Sequence, residues 1–123
     1  MSLGENTLTE TQSIVFDTTV KAGIMVDFSG TPGNTAPYGV TMHDVQSGDL
    51  GLVARSGPCQ IQAANATVAK GSEIEINADG RAIVLAAGDA VGMADENGVA
   101  AVSGVYKLVG IMLYQRKNIP PPA

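Results

Sequence analysis

The stretch Glu73-Ile-Glu-Ile-Asn77-Ala-Asp-Gly80-Arg81-Ala-Ile-Val-Leu85 reads as two strands joined by a turn. Glu and Ile alternate from Glu73 to Ile76, which puts both carboxylates on one face of a strand and both isoleucines on the other. Asp79-Gly80 lies between this run and the apolar run after Arg81. Glycine takes positive φ without steric cost, so the pair predicts a tight hairpin turn. Glu73 and Glu75 then form an ordinary solvated face above a core filled by Ile74 and Ile76. A general acid and base would need surroundings that split their pKa values, and the sequence supplies none.

The same pattern extends both ways. Ile14–Phe16, Ile24–Phe28, Tyr38–Met42, Leu50–Ala54 and Pro58–Gln62 are short apolar runs, and Gly88–Ala94 follows the hairpin. Turn signals separate them: Ser29-Gly-Thr-Pro-Gly-Asn34, Ser56-Gly57 and Asp95-Glu-Asn-Gly98. Tyr106–Tyr114 predicts the last strand, with Val109, Ile111 and Leu113 on one face and Leu108, Met112 and Tyr114 on the other. Apolar side chains on both faces mark a central strand, or one whose second face is given to another subunit. Ile61, Ala64 and Val68 sit at helical spacing between Gln60 and Gly71, yet the Ala-rich stretch reads better as loop with at most one helical turn. The expected fold is all-β, a single-domain β-sandwich or small β-barrel with short hairpins. An extended N-terminal arm (1–13) precedes the β domain (14–114), and a proline-rich C-terminal tail (115–123) follows it.

A chain of 123 residues with 45% apolar and 15% charged residues suits one domain with a real core. Aromatic content is only 4% and there is no Trp, so oligomerisation is a natural way to add burial. Seven Lys and Arg against twelve Asp and Glu give a net charge of -5, which argues against nucleic acid as a partner. No apolar stretch approaches the ~20 residues that span a bilayer, and the N-terminus lacks a signal-like core, so no membrane partner is expected. Asn65-Ala-Thr67 matches a glycosylation sequon by chance in such a context.

Candidate chemistry is sparse. His43 and Asp44 are adjacent, but neighbouring strand residues point to opposite faces and do not pair. Cys59 is the lone cysteine, and a nucleophile would need a base and a lowered pKa. One Cys and one His cannot make a zinc site, and the Asp-containing turns lack a calcium-loop ladder. No catalytic residue, cofactor or metal is therefore expected, and the chain is read as a non-enzyme.

In order along the chain stand Val20-Lys-Ala-Gly-Ile-Met-Val26, Tyr38-Gly-Val-Thr41, Ser47-Gly-Asp-Leu-Gly-Leu-Val53 and Ser56-Gly57. Ala69-Lys-Gly-Ser-Glu-Ile74, Asn77-Ala-Asp-Gly80 and Leu108-Val-Gly-Ile-Met-Leu113 follow. This succession resembles the small tailed-bacteriophage capsid decoration (cement) proteins over about Val20 to Tyr114. It departs from them at Gly57-Pro58-Cys59, where the family often carries a second Gly-Val. The resemblance implies a structural virion protein on the outer surface of the phage head, made in the host cytoplasm. It further implies a homotrimer that clamps neighbouring subunits of the major capsid protein. Leu3, Thr7, Leu8 and Thr9 in the arm, with Ile119 and Pro120 in the tail, are the candidate capsid contacts by composition and expected exposure. The alternatives are a phage tail or fibre module, or a small β-fold carrier. A carrier needs a flanked lysine at a hairpin tip, which Lys21, Lys70 and Lys107 do not provide.

Overall fold

In a computed structural model, which describes residues 9–64, 67–98 and 105–114, the chain folds as eight β-strands, with no helix among the described residues. They are β1 (Glu10–Val15), β2 (Met25–Val26), β3 (Gly39–Thr41), β4 (Leu50–Gln62), β5 (Glu73–Ile76), β6 (Ala82–Val84), β7 (Gly92–Ala94) and β8 (Leu108–Leu113). The strand order is β2-β3-β4-β8-β7-β5-β6, and β1 also pairs with β4. Every strand pairing is antiparallel.

β4 organises the molecule. Its first half pairs with β1 (Ile14↔Gly51) and with β3 (Val40↔Ala54), and its second half pairs with β8 (Ile61↔Val109). The two runs that the sequence separates at Ser56-Gly57 are thus one strand of 13 residues. Gly57 has φ 92, so the strand bends there without breaking, which a side-chain-bearing residue would do only under strain.

Beyond the bend, the sheet curls into a half-barrel. Ala63 bridges Ala82, and the Ala64 N–H donates to the Ala82 carbonyl at 3.0 Å, tying the end of β4 to β6. Ile61, Ile74, Val109, Ile111 and Leu113 fill the inside, and each such side chain contributes about 1.5–3 kcal/mol on burial. A smaller core of Ile14, Phe16, Val20, Val26, Val45 and Val53 lies under the other half. The predicted faces of β5 and β8 are as found: Ile74, Ile76, Val109, Ile111 and Leu113 are buried, while Glu73 is exposed. β8 lies between β4 and β7 in the sheet, with the Val109, Ile111 and Leu113 face buried and the second face only partly covered, Leu108 being 45% exposed.

The hairpin at Asp79-Gly80 has a three-residue loop, 78–80. The Asn77 carboxamide oxygen accepts the N–H groups of Asp79 (3.0 Å) and Arg81 (2.9 Å). Gly80 closes the loop at φ 86, and its carbonyl accepts the Met25 N–H at 2.8 Å, which docks the loop on β2.

The expected boundary between arm and body, at 13/14, falls inside β1. Glu10 to Ser13 are already laddered to β4, and all four side chains are exposed, as polar residues on both faces of this stretch of strand allow.

Candidate functional site

Of the six expected contact residues, Thr9 alone falls among the described residues; Leu3, Thr7, Leu8, Ile119 and Pro120 lie outside them. The Thr9 hydroxyl donates to the Pro58 carbonyl, pinning the start of β1 at the bend of β4. Beside it the Ser56 hydroxyl donates to the Glu10 carboxylate at 2.9 Å.

The two ends of the body meet at this bend. A strand has two ladder edges. At Val53 and Ala54 of β4, β3 holds one and β1 the other. Further along, the Gln62 N–H donates to Gly23, whose own N–H donates to Thr41 of β3, so that edge stays with the β3 side. β8 therefore takes the edge that β1 leaves. β1 begins at Glu10↔Ser56 and β8 ends at Leu113↔Gly57, so the two strands meet end to end at the bend, with the Tyr114 N–H still donating to the Val91 carbonyl at 2.9 Å.

The ladder also fixes which groups of β1 are free. The Phe16 N–H donates to Asp49 (2.9 Å), which makes Phe16, Ile14 and Gln12 the residues bonded to β4. The N–H and C=O groups of Thr11, Ser13 and Val15 point away from β4, and no other described strand pairs with β1. On the same face, Val15 (58% exposed) stands opposite Leu50 (64% exposed). Leu52 lies two residues along, opposite the exposed Met42, whose N–H donates to the Leu52 carbonyl. An open polar edge thus borders an apolar patch. The sequence signal was the loose alternation and aliphatic content of Leu50-Gly-Leu-Val-Ala54, but only the register showed that Leu50 is left exposed beside Val15.

The catalytic candidates are occupied otherwise. His43 Nε2 accepts the Leu52 N–H at 3.2 Å, and Nδ1 lies 3.0 Å from the Asp44 carbonyl oxygen. The ring is thereby a bridge between two backbone segments, with the proton on Nδ1. The Asp44 carboxylate accepts the Ala22 N–H (2.8 Å) and faces Lys21 (3.7 Å), not the imidazole. Cys59 packs against the larger core. Burial, helped by the negative charge of Asp95, pushes its thiol up to about 12. A cleft of about 220 Å³ runs between Gly23, Thr41, Met42, Cys59 and Leu108, small beside typical ligand pockets. Among the described residues no three metal-ligating side chains cluster. Arg55 stacks 3.5 Å over the Tyr38 ring and donates to the Tyr38 carbonyl, while Arg81 stacks 3.6 Å over Tyr106, donates to the Gln62 side chain at 2.9 Å and faces Asp79 at 3.7 Å.

No protein-family model matches the chain, and no curated protein sequence matches it. Among solved structures, the fold is similar to that of the head fiber gp8.5 N base of bacteriophage phi29. The TM-score is 0.64 at 20% identity, and the match covers 86% of this chain and 94% of that one. The two chains share a fold over nearly the whole of that base domain.

Proposed function

We propose that this chain is a structural virion protein of a tailed bacteriophage, without enzymatic activity, held on the outer surface of the head. The observation that carries this reading is the mutual coverage with a head-fibre base: the likeness spans 86% of this chain and 94% of that one. The capsid-decoration resemblance in the order of the glycine-led strands points to the same place. In this reading the protein clamps neighbouring major capsid subunits, as a homotrimer, through many weak contacts made strong by multivalency. Leu3, Thr7 and Leu8 lead into Thr9 at the bend of β4, so the N-terminal segment is the attachment element. The acidic body, with its net charge of -5, keeps decorated particles mutually repulsive.

A second reading is the base of a head fibre rather than a cement. It is favoured by the specific likeness to a fibre base.

Add-back tests the attachment claim. Purified full chain is mixed with heads from a phage mutant lacking it and pelleted. The full chain pellets at saturating, countable stoichiometry, and a chain lacking residues 1–8 pellets at least about tenfold less well. Equal pelleting of the two removes the N-terminal segment from attachment, and failure of the full chain to pellet removes the head-surface role. The deletion stops before Thr9, because removing Glu10 to Gln12 would strip β1 from β4.

A further inference from the structure

We propose that the open edge of β1 takes up, as an added strand, a short extended segment of another protein that carries aliphatic side chains between Lys or Arg residues. The proposal does not rest on the head-surface reading.

The edge is a bounded window. Gln12, Ile14 and Phe16 direct their backbone groups at β4, which leaves those of Thr11, Ser13 and Val15 in an outward row. Asp17 is next in that row, and its N–H donates to the Ser29 carbonyl at 2.8 Å, so the loop carrying Ser29 closes one end. At the other end β1 meets the end of β8, where the Tyr114 N–H donates to the Val91 carbonyl at 2.9 Å. Between these two stops no described strand other than β4 pairs with β1. Thr11 to Val15 offer about 17 Å of strand, room for a short segment only. Main-chain hydrogen bonds to such an edge give affinity, and side chains give the choice of partner.

The side chains ask first for an aliphatic group. Across the ladder Val15 stands opposite Leu50, and Ser13 opposite Leu52. The Leu52 carbonyl in turn accepts the Met42 N–H from the far side of β4. Val15, Leu50 and Met42 are all exposed, so apolar surface begins directly beside the row of free groups. An added strand alternates like β1 itself, and the side chain that arrives level with Val15 buries this surface only if it is apolar.

Charge then selects among partners. The segments bordering the window, residues 9–20, 24–36 and 46–54, contain Glu10, Asp17, Asp27 and Asp49 and no Lys or Arg. Glu10, Asp17 and Asp49 are exposed. The nearby cations are engaged: Lys21 faces Asp44 at 3.7 Å, and Arg55 is stacked on Tyr38. A second copy of this chain would bring the same acids to the same edge, so like charges oppose self-pairing. Lys or Arg flanking the aliphatic positions of a partner strand instead meet Glu10 at one end, and Asp17 with Asp49 at the other.

Backbone NMR of the full chain tests this with two end-blocked synthetic peptides, Lys-Thr-Val-Thr-Val-Lys and the same sequence with Glu in place of Lys. The basic peptide is expected to shift the amide signals of Thr11, Ser13, Val15 and Leu50 and to slow hydrogen exchange at Thr11, Ser13 and Val15. The acidic peptide is expected to bind at least about tenfold more weakly at low salt. Ser13→Pro removes an outward N–H without touching the β4 ladder, and should abolish the response. Slow exchange at Gln12, Ile14 and Phe16 then reports that the variant is folded. No response to the basic peptide, equal responses to both peptides, or a response that survives in the folded Ser13→Pro variant overturns the proposal. Slow exchange at Ser13 and Val15 in the peptide-free chain overturns it as well. Independent of protein concentration, that result gives the edge to another part of the same chain; rising with concentration, it gives the edge to a second copy.

Discussion

Gly80 and Cys59 show how far one atom can matter here. A Cβ added at Gly80 would stand 2.6 Å from the Met25 carbonyl oxygen, at a φ of +86 that L side chains rarely adopt. Gly80→Ala therefore combines backbone strain with a clash against β2 that only a backbone shift relieves. The expected cost is about 3 kcal/mol, read as a drop in the urea midpoint. Cys59 tests the opposite property, inertness. With its thiol pushed up to about 12 by burial and then by Asp95, almost no thiolate is present near neutrality. Reaction with a disulfide reagent should be about 10²–10³-fold slower in the folded chain than in urea. Comparable rates would mean that the site opens readily and that Cys59 is more exposed than its packing against the core indicates.

At the scale of elements, loops are held by side-chain acceptors. The Glu75 carboxylate accepts the N–H groups of Ala86 (2.6 Å) and Gly88 (3.0 Å), tying the loop after β6 to β5. These bonds favour the charged form and hold the Glu75 pKa below its ordinary 4.5. The sign follows: the contribution is complete above the unfolded value and is lost as pH falls through the lower folded value. Glu75→Gln should be less stable than the parent near neutral pH, with the gap closing as the solution is acidified below 4.5 in denaturant titrations. A gap that widens on acidification would contradict this role.

Legibility also divides by element. The β5–β6 hairpin and both faces of β8 could be read directly, because strict period-two alternation leaves only one way to bury Ile74, Ile76, Val109 and Ile111. The loop Asp27-Phe-Ser-Gly30 repeats the Asn77-Ala-Asp-Gly80 arrangement, with Asp27 Oδ1 accepting Ser29 and Thr31 at 2.8 and 3.0 Å. Both loops share an Asx residue three before a glycine. What could not be read was β4's continuity through Gly57, since the same Ser-Gly pair ends strands elsewhere. The strand character of Glu10–Ser13 was equally hidden, because a polar edge strand looks like an arm until its partner is known. For the same reason the site was only half legible. Thr9 was named, but the Leu50–Val15 patch depends on cross-strand register, which composition does not encode.

At the scale of the whole molecule, the curled sheet brings the start of β1 and the end of β8 to one point, the bend of β4. Its two cores are aliphatic, with Phe16 the one fully buried aromatic ring, and under the proposed function a phage head would offer many equivalent sites at once. The most direct measurement is mass-spectrometric quantification of this chain across a density gradient of virions from the source lysate. The account predicts that it migrates with heads, at a copy number close to that of the major capsid protein for a cement, or at a smaller fixed fraction of it for a fibre base. Recovery only at the top of the gradient, as free protein with none on the particles, would contradict the account.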